Sequence, residues 1–120
     1  MQITIKGTQY ELTDGTRAFI EEKFLALDKL AQGSQSPVSL ACEVEQSIAV
    51  ERAGAKYRAE GNLSADGKMF HAEAWSSNLE GAVDRVRDDL MHELRQARGR
   101  KRGFIRRGGA ALKRLFRFGS

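Results

Sequence analysis

The sequence has few of the residues and runs that mark disulfide-linked, metal-binding or membrane-spanning proteins. Among its 120 residues are one cysteine, one proline and two histidines, too few for an internal disulfide or a typical zinc cluster. No run approaches the roughly 20 apolar residues of a membrane-spanning helix, and the first residues do not resemble a secretory signal. These absences predict a cytoplasmic protein that needs no metal or other cofactor.

Acidic residues are missing from the end of the chain. Residues 1–98 contain 12 lysines and arginines against 16 acidic residues, whereas residues 99–120 contain eight basic residues and no acid. We therefore divide the chain into a mildly acidic domain, residues 1–98, and a basic tail rich in glycine and arginine, residues 99–120. We expect the tail to be flexible until it binds a polyanion, either a nucleic acid or an anionic membrane surface.

The first third of the sequence predicts a strand and then a helix. Ile3 and Ile5 alternate with polar residues, as in a half-buried strand. Apolar residues then recur every three or four positions over residues 14–31, which predicts one helix, with Thr13 as its N-cap and Gly33 past its end.

Apolar and polar residues alternate in the middle of the sequence, with a period of two. Three strands are predicted, with short turns between them, over residues 38–44, 57–63 and 69–75; Ile48 and Val50 extend the first of these if they belong to it. A second helix, capped by Ser77 or Asn78, carries an apolar stripe to about residue 98.

The order β-α-β-β-β-α predicts the fold class. It indicates a two-layer α+β sandwich, in which a four-stranded sheet containing an antiparallel meander carries two helices on one face. This order is also close to the double-stranded-RNA-binding arrangement, which reads the shape of the backbone more than its sequence.

Residues suited to catalysis are few. His71 has no identifiable partner, and Cys42 alternates in phase with the core. The carboxylates of one sheet face alternate with Lys56 and Arg58, which is typical of a solvated surface and not of an acid–base pair; these carboxylates are Glu43, Glu45, Glu60 and Glu73. We therefore expect no enzymatic activity.

Arginines flank the apolar stripe of the second helix. At 100° per residue, four of them fall within about 80° if the helix continues through Gly99: Arg87, Arg95, Arg98 and Arg102. Asp84 and Asp88 lie on the same side, so the helix alone is equally compatible with an ordinary charged surface. The density of basic residues farther along favours a polyanion site; they are Arg95, Arg98, Arg100, Lys101, Arg102, Arg106 and Arg107.

Lys23 falls near the middle of the apolar face of the first helix, where a lysine is costly unless its ammonium reaches water or an acid. Two interpretations stay open: Lys23 emerges in the cleft between the two helices, or it reaches solvent at the helix edge. The open sheet face offers Trp75 among acids, so we expect the helices and the tail, not the sheet, to bind RNA.

Two segments resemble a known family. Residues 12–14, 17–24 and 27–30 resemble the first helix of the ribosome hibernation promoting factors and ribosome-associated inhibitors, in their short form. Residues 70–74, Leu79 and residues 82–84 resemble the strand and helix that follow, and the resemblance covers residues 1 to about 102. Glu80 and Gly81 depart from the family pattern, which commonly has an aromatic residue and an alanine there.

The resemblance implies a hibernation factor that inhibits translation in stressed cells. Such a protein binds the small ribosomal subunit in the channel used by messenger and transfer RNA and competes with both. Carried over by position, the ribosomal RNA contacts are Lys23, with Arg17 and Lys29, and then Arg85, Arg87, Arg95, Arg98, Arg100, Lys101 and Arg102. The long family form has a further domain that joins two ribosomes; this chain is too short to contain it, so we expect no ribosome pairing of that kind.

Two other functions stay open at this point. One is a generic RNA-binding module with a basic arm. The other is a membrane-surface protein whose tail forms an interfacial amphipathic helix, with Leu112, Leu115, Phe116 and Phe118 beside Lys113, Arg114 and Arg117.

Overall fold

The computed structural model describes residues 1–47 and 54–106, and side chains as far as residue 100. It confirms the predicted α+β class. The elements follow one another as β1 (Gln2–Thr8), α1 (Asp14–Lys23), α2 (Leu25–Leu30), β2 (Ser39–Gln46), β3 (Tyr57–Ala65), β4 (Lys68–Ser76) and α3 (Leu79–Arg106).

The four strands form one mixed sheet in the order β1-β2-β3-β4. β1 pairs with β2 in parallel, since two helices lie between them in the chain, and the predicted antiparallel meander of β2, β3 and β4 is confirmed. Asp66 and Gly67 form the β3–β4 turn with φ angles of 55° and 72°, as a two-residue hairpin turn requires. The extension of β2 to Ile48 and Val50 lies outside the described residues.

One sheet face and the helices enclose the core. The register aligns Ile5, Cys42, Gly61 and Ala72 across the sheet on this inner face, and α3 packs against β3 and β4. A methyl group built on Gly61 would lie 2.9 Å from Val86 Cγ1 and 3.0 Å from a Leu90 methyl carbon. Glycine therefore lets α3 approach the middle of the sheet closely. The fully buried side chains include Ile20, Phe24, Leu27, Leu40, Leu63, Val83, Val86, Leu90 and Leu94.

The prediction of one helix over residues 14–31 is wrong, because the chain leaves helical geometry at Phe24. There ψ is 5°, and the Phe24 N–H is shared between the carbonyls of Ile20 and Glu21, both at 3.2 Å. This tightens the turn toward a 3₁₀ geometry. The break separates α1 from α2 while the Phe24 ring stays fully buried.

The predicted end of the second helix near residue 98 is also wrong, because α3 continues to Arg106. A glycine inside a helix costs about 1 kcal/mol relative to alanine, but extending an existing helix requires no new nucleation. The eight residues of α3 beyond position 98 add about 12 Å of helix, which crosses the boundary placed between residues 98 and 99. That division into domain and tail stays a prediction, and residues 107–120 lie outside the described chain.

The predicted helix caps are confirmed. Thr13 Oγ1 accepts a hydrogen bond from the Thr16 N–H at 3.1 Å, and Asn78 Oδ1 accepts one from the Gly81 N–H at 2.6 Å. Gly33, past the end of α2, has a φ of 87°, which favours glycine. None of the described helices is long and apolar enough to cross a bilayer.

Candidate nucleic-acid interface

The outer face of the sheet is built around one arginine and four glutamates. Arg58 is 13% exposed, and its guanidinium nitrogens lie 2.7 Å from Glu43, 2.8 Å from Glu45, 2.9 Å from Glu73 and 3.7 Å from Glu60. The four carboxylates therefore lie together on the outer face, and they surround the Arg58 guanidinium. An acidic surface of this kind repels phosphate.

Two neighbours favour the ionised form of Glu43. Thr8 Oγ1 donates a hydrogen bond of 2.5 Å to it, and Arg58 donates another at 2.7 Å. The hydrogen bond from Thr8 and then that from Arg58 hold the pKa of Glu43 below its ordinary value. On the inner face, burial raises the pKa of the Cys42 thiol to about 12, so this cysteine is protonated and inert as a nucleophile at neutral pH.

Lys23 lies in the cleft between α1 and α3, as the first of its two interpretations predicted. Its Nζ is 2.7 Å from Glu80 and 3.2 Å from Asp84, both on α3, and 5.4 Å from the centre of the Phe19 ring. The hydrogen bond to Glu80 and then the close carboxylate of Asp84 raise the pKa of Lys23. The carboxylates of α3 thus offset the free-energy cost of placing the Lys23 ammonium on this face of α1.

The same acids continue into a short network. Asp84 Oδ1, a buried oxygen without an aligned hydrogen bond, is 3.2 Å from both Lys23 Nζ and Arg87 Nη1. Arg87 also lies 2.9 Å from Asp88. We call Lys23, Glu80, Asp84, Arg87 and Asp88 the cleft network; it contains two cations and three carboxylates.

Arg98 joins three parts of the fold. It forms two hydrogen bonds with Asp66 in the β3–β4 turn, at 2.8 and 3.2 Å, and donates to the carbonyls of Leu30 and Ala31 at the end of α2. The hydrogen bond to Asp66 raises the pKa of Arg98. Its contacts hold α3 against the end of α2 and the hairpin.

Other basic residues of the helical layer point into solvent. Within the described part of the chain, none of them forms an ion pair, and all are exposed: Arg17 on α1, Lys29 on α2, and Arg85, Arg95 and Arg100 on α3. The predicted binding residues therefore divide into two groups, those paired with acids of this chain and those open to an outside anion. No side chain after residue 100 is described, which leaves out Lys101, Arg102 and Arg106 of α3, and Arg107 lies outside the described residues.

Charge is distributed unevenly along α3. Residues 79–89 contain four acids and two arginines, whereas residues 90–106 contain one acid and six basic residues. The exposed Arg95 and Arg100 lie in the basic part, beyond the cleft network. An approaching polyanion is attracted most strongly to this end of the helix.

Sequence reasoning placed Asp84 and Asp88 on the same side as Arg87, but it missed Asp66 as the partner of Arg98 and Glu80 as the partner of Lys23. Asp66 and Arg98 are 32 positions apart, and Lys23 and Glu80 are 57 positions apart, so no local pattern relates them. Only the pair of Asp84 and Arg87, spaced by three on one helix, could be read from spacing.

Comparisons with known proteins extend this description. A family model described as Sigma 54 modulation protein / S30EA ribosomal protein matches residues 3–102. The N-terminal domain of Thermus thermophilus Protein Y is 26% identical, with 80% of this chain and 98% of that chain covered and a TM-score of 0.64. A ribosomal subunit interface protein from Coxiella burnetii shares the fold at 17% identity, with 82% and 99% covered and a TM-score of 0.64. Comparison with the curated proteins gave no match.

Proposed function

Because the chain belongs to the Sigma 54 modulation protein / S30EA ribosomal protein family, we propose that it is a hibernation factor that binds small-subunit ribosomal RNA in the decoding channel. The matched family is described as one of ribosomal proteins, and the ribosome is accordingly the partner of this chain in the proposal. In this proposal the chain occupies the space of messenger and transfer RNA on the small subunit and competes with both. It thereby suppresses translation in the cytoplasm.

The observation that carries the proposal is the exposed basic group on α3. Arg85, Arg95 and Arg100 are open to solvent, while Arg58 and the four glutamates around it make the opposite face acidic. Arginines bind phosphates through charge and paired hydrogen bonds. A molecule with one basic and one acidic side binds RNA in one orientation, with its helices toward the phosphates.

The proposal contains no catalytic step and no cofactor. Binding alone occupies the channel, and the basic residues of the tail, residues 99–120, add contacts with phosphates. Arg106 and Arg107 are among these basic residues of the tail.

Sedimentation with purified ribosomal subunits tests the proposal. The full chain is mixed with isolated small or large subunits at low and moderate salt, with and without bound messenger and transfer RNA. We expect saturable binding of one molecule per small subunit that those RNAs displace. Equal, unsaturable binding to both subunits, abolished by moderate salt, would instead indicate a generic polyanion binder.

A further inference from the structure

The Lys23 ammonium is held by two carboxylates of unequal availability. Asp84 is shared, since its Oδ1 lies 3.2 Å from both Lys23 and Arg87. Glu80 contacts Lys23 alone among the described residues, at the shorter distance of 2.7 Å. Its side chain is 58% exposed, so it stabilises Lys23 from the solvent side and contributes no packing to the core.

We propose that Glu80 restrains Lys23 and thereby lowers the affinity of the helical layer for RNA phosphates. This inference rests on the proposed function, because it assigns Lys23 to the surface that meets ribosomal RNA. A lysine ammonium has three donors and no acceptor. A phosphate oxygen that approaches from solvent meets Glu80 first and has to displace its carboxylate before it reaches Lys23.

The charge of the cleft network points the same way. With two cations and three carboxylates it carries a net charge of −1, which opposes a phosphate near the start of α3. Replacing Glu80 by glutamine makes the network neutral and leaves Lys23 with the one carboxylate that Arg87 also uses. Lys23 then becomes available to an outside anion without any change in its own position.

Glu80→Gln in the full chain is the direct test, with the dissociation constant for isolated small subunits as the measured quantity. Because exposed ion pairs are weak, we expect binding to tighten by a small factor, about 1.4- to five-fold. If Lys23 gains one phosphate contact, the slope of log K against log salt steepens by about 0.7–0.9. Glu80 is exposed and glutamine has the same shape, so an unchanged circular dichroism spectrum is expected.

Glu22→Gln is the matched control. Glu22 is exposed on α1 next to Lys23 in sequence, and its replacement removes the same charge without touching the Lys23 contact. A smaller gain than that of Glu80→Gln supports the inference, whereas an equal gain would mean that any lost negative charge has the same effect.

A double-substitution cycle shows whether Glu80 acts through Lys23. In a Lys23→Gln background, Glu80→Gln is expected to change the affinity little. A full gain in that background, or no gain in the parent, overturns the inference.

The same variants are measured against a short RNA duplex, so that the two proposals can fail separately. If the parent protein does not bind small subunits saturably, the proposed function is wrong, while the duplex still reports on Glu80. Unchanged duplex binding by Glu80→Gln would then contradict the restraint as well.

Discussion

Arg95 and Arg98 are three residues apart on α3 but have different surroundings. Arg98 is 22% exposed and bonded to Asp66 and to two carbonyls of another helix, whereas Arg95 is exposed, with no ion pair among the described residues. At this scale the fold separates arginines that stabilise it from arginines available to a ligand.

Arg98→Ala is expected to lower the free energy of unfolding by about 1.5–3 kcal/mol, because hydrogen bonds to a charged group contribute about that much. Arg98→Lys should recover less than half, since a single ammonium cannot meet Asp66 and both carbonyls with the planar geometry of guanidinium. Urea unfolding measures the change. Arg95→Ala is the control; a loss as large as that of Arg98→Ala would contradict the assignment.

Glu43 makes stability depend on pH in a known direction. Its pKa is lowered by Thr8 and Arg58 from an ordinary value of 4.5, so its contribution is complete above that value and is lost as pH falls through the lowered pKa of the folded state. Thr8→Val should therefore reduce the loss of stability on acidification. Unfolding measured at neutral and acidic pH tests this.

Thr4→Val is the control for that experiment, since Thr4 is exposed on the same strand. It should keep the pH dependence of the parent protein. The account of Glu43 is wrong if Thr4→Val and Thr8→Val change that dependence equally.

At the scale of elements, α3 depends on how closely it approaches β3. A side chain at Gly61 would press against Val86 and Leu90, both fully buried. Gly61→Val is therefore expected to lower the free energy of unfolding by about 1–3 kcal/mol through overpacking. Thermal or urea unfolding measures the loss, and unchanged stability would show that the layers can separate without cost.

Gly99, within α3 itself, has room for a side chain, whereas Gly61 has none. A methyl group built there has no atom within 4 Å, and alanine favours helix over glycine. Gly99→Ala should raise stability by about 0.5–1 kcal/mol. A destabilised Gly99→Ala protein would contradict continuous helix through this position.

Most elements, but not all their limits, could be predicted from periodicity. The alternation of the three later strands fixed which residues face the core, since Cys42 and Val44 are buried while Glu43 and Glu45 are partly exposed. The break at Phe24 could not be predicted, because the apolar spacing continues through it. The length of α3 could not be predicted either. Gly99 and Gly103 indicate the end of a helix in the sequence, whereas a helix that is already packed can propagate through them.

The candidate site was predictable only as a set of charges. The sequence places arginines on α3, but which of them are neutralised depends on contacts across the fold, such as Arg98 with Asp66. Burial and pairing, not residue type, decide which cations remain available.

For the whole molecule, the arrangement of charge is the feature on which the proposed function rests. The sheet exposes an acidic face around Arg58, and the basic residues lie on the helices and toward the end of the chain. In the proposed function, this asymmetry orients the protein during encounter with ribosomal RNA and makes association depend on salt.

Removal of residues 107–120 tests the contribution of the tail. All described elements remain, so the circular dichroism spectrum and unfolding transition should be preserved. The removed segment contains four basic residues and no acid, so affinity for small subunits should fall and the salt slope should flatten by at most about 3.6. An unchanged affinity and slope would refute an electrostatic role for this segment.

The most direct measurement is the salt-dependent affinity of a variant that lacks the exposed arginines of α3. Arg85, Arg95 and Arg100 are replaced together by glutamine, and binding to isolated small subunits is compared with that of a control in which three exposed lysines outside the helices, Lys6, Lys56 and Lys68, are replaced. Both variants lose three positive charges. We predict that the arginine variant binds at least about ten-fold more weakly with a slope flatter by about 2–3, while the lysine variant stays close to the parent. Equal losses in both variants, or none in the arginine variant, would contradict binding through the helical layer.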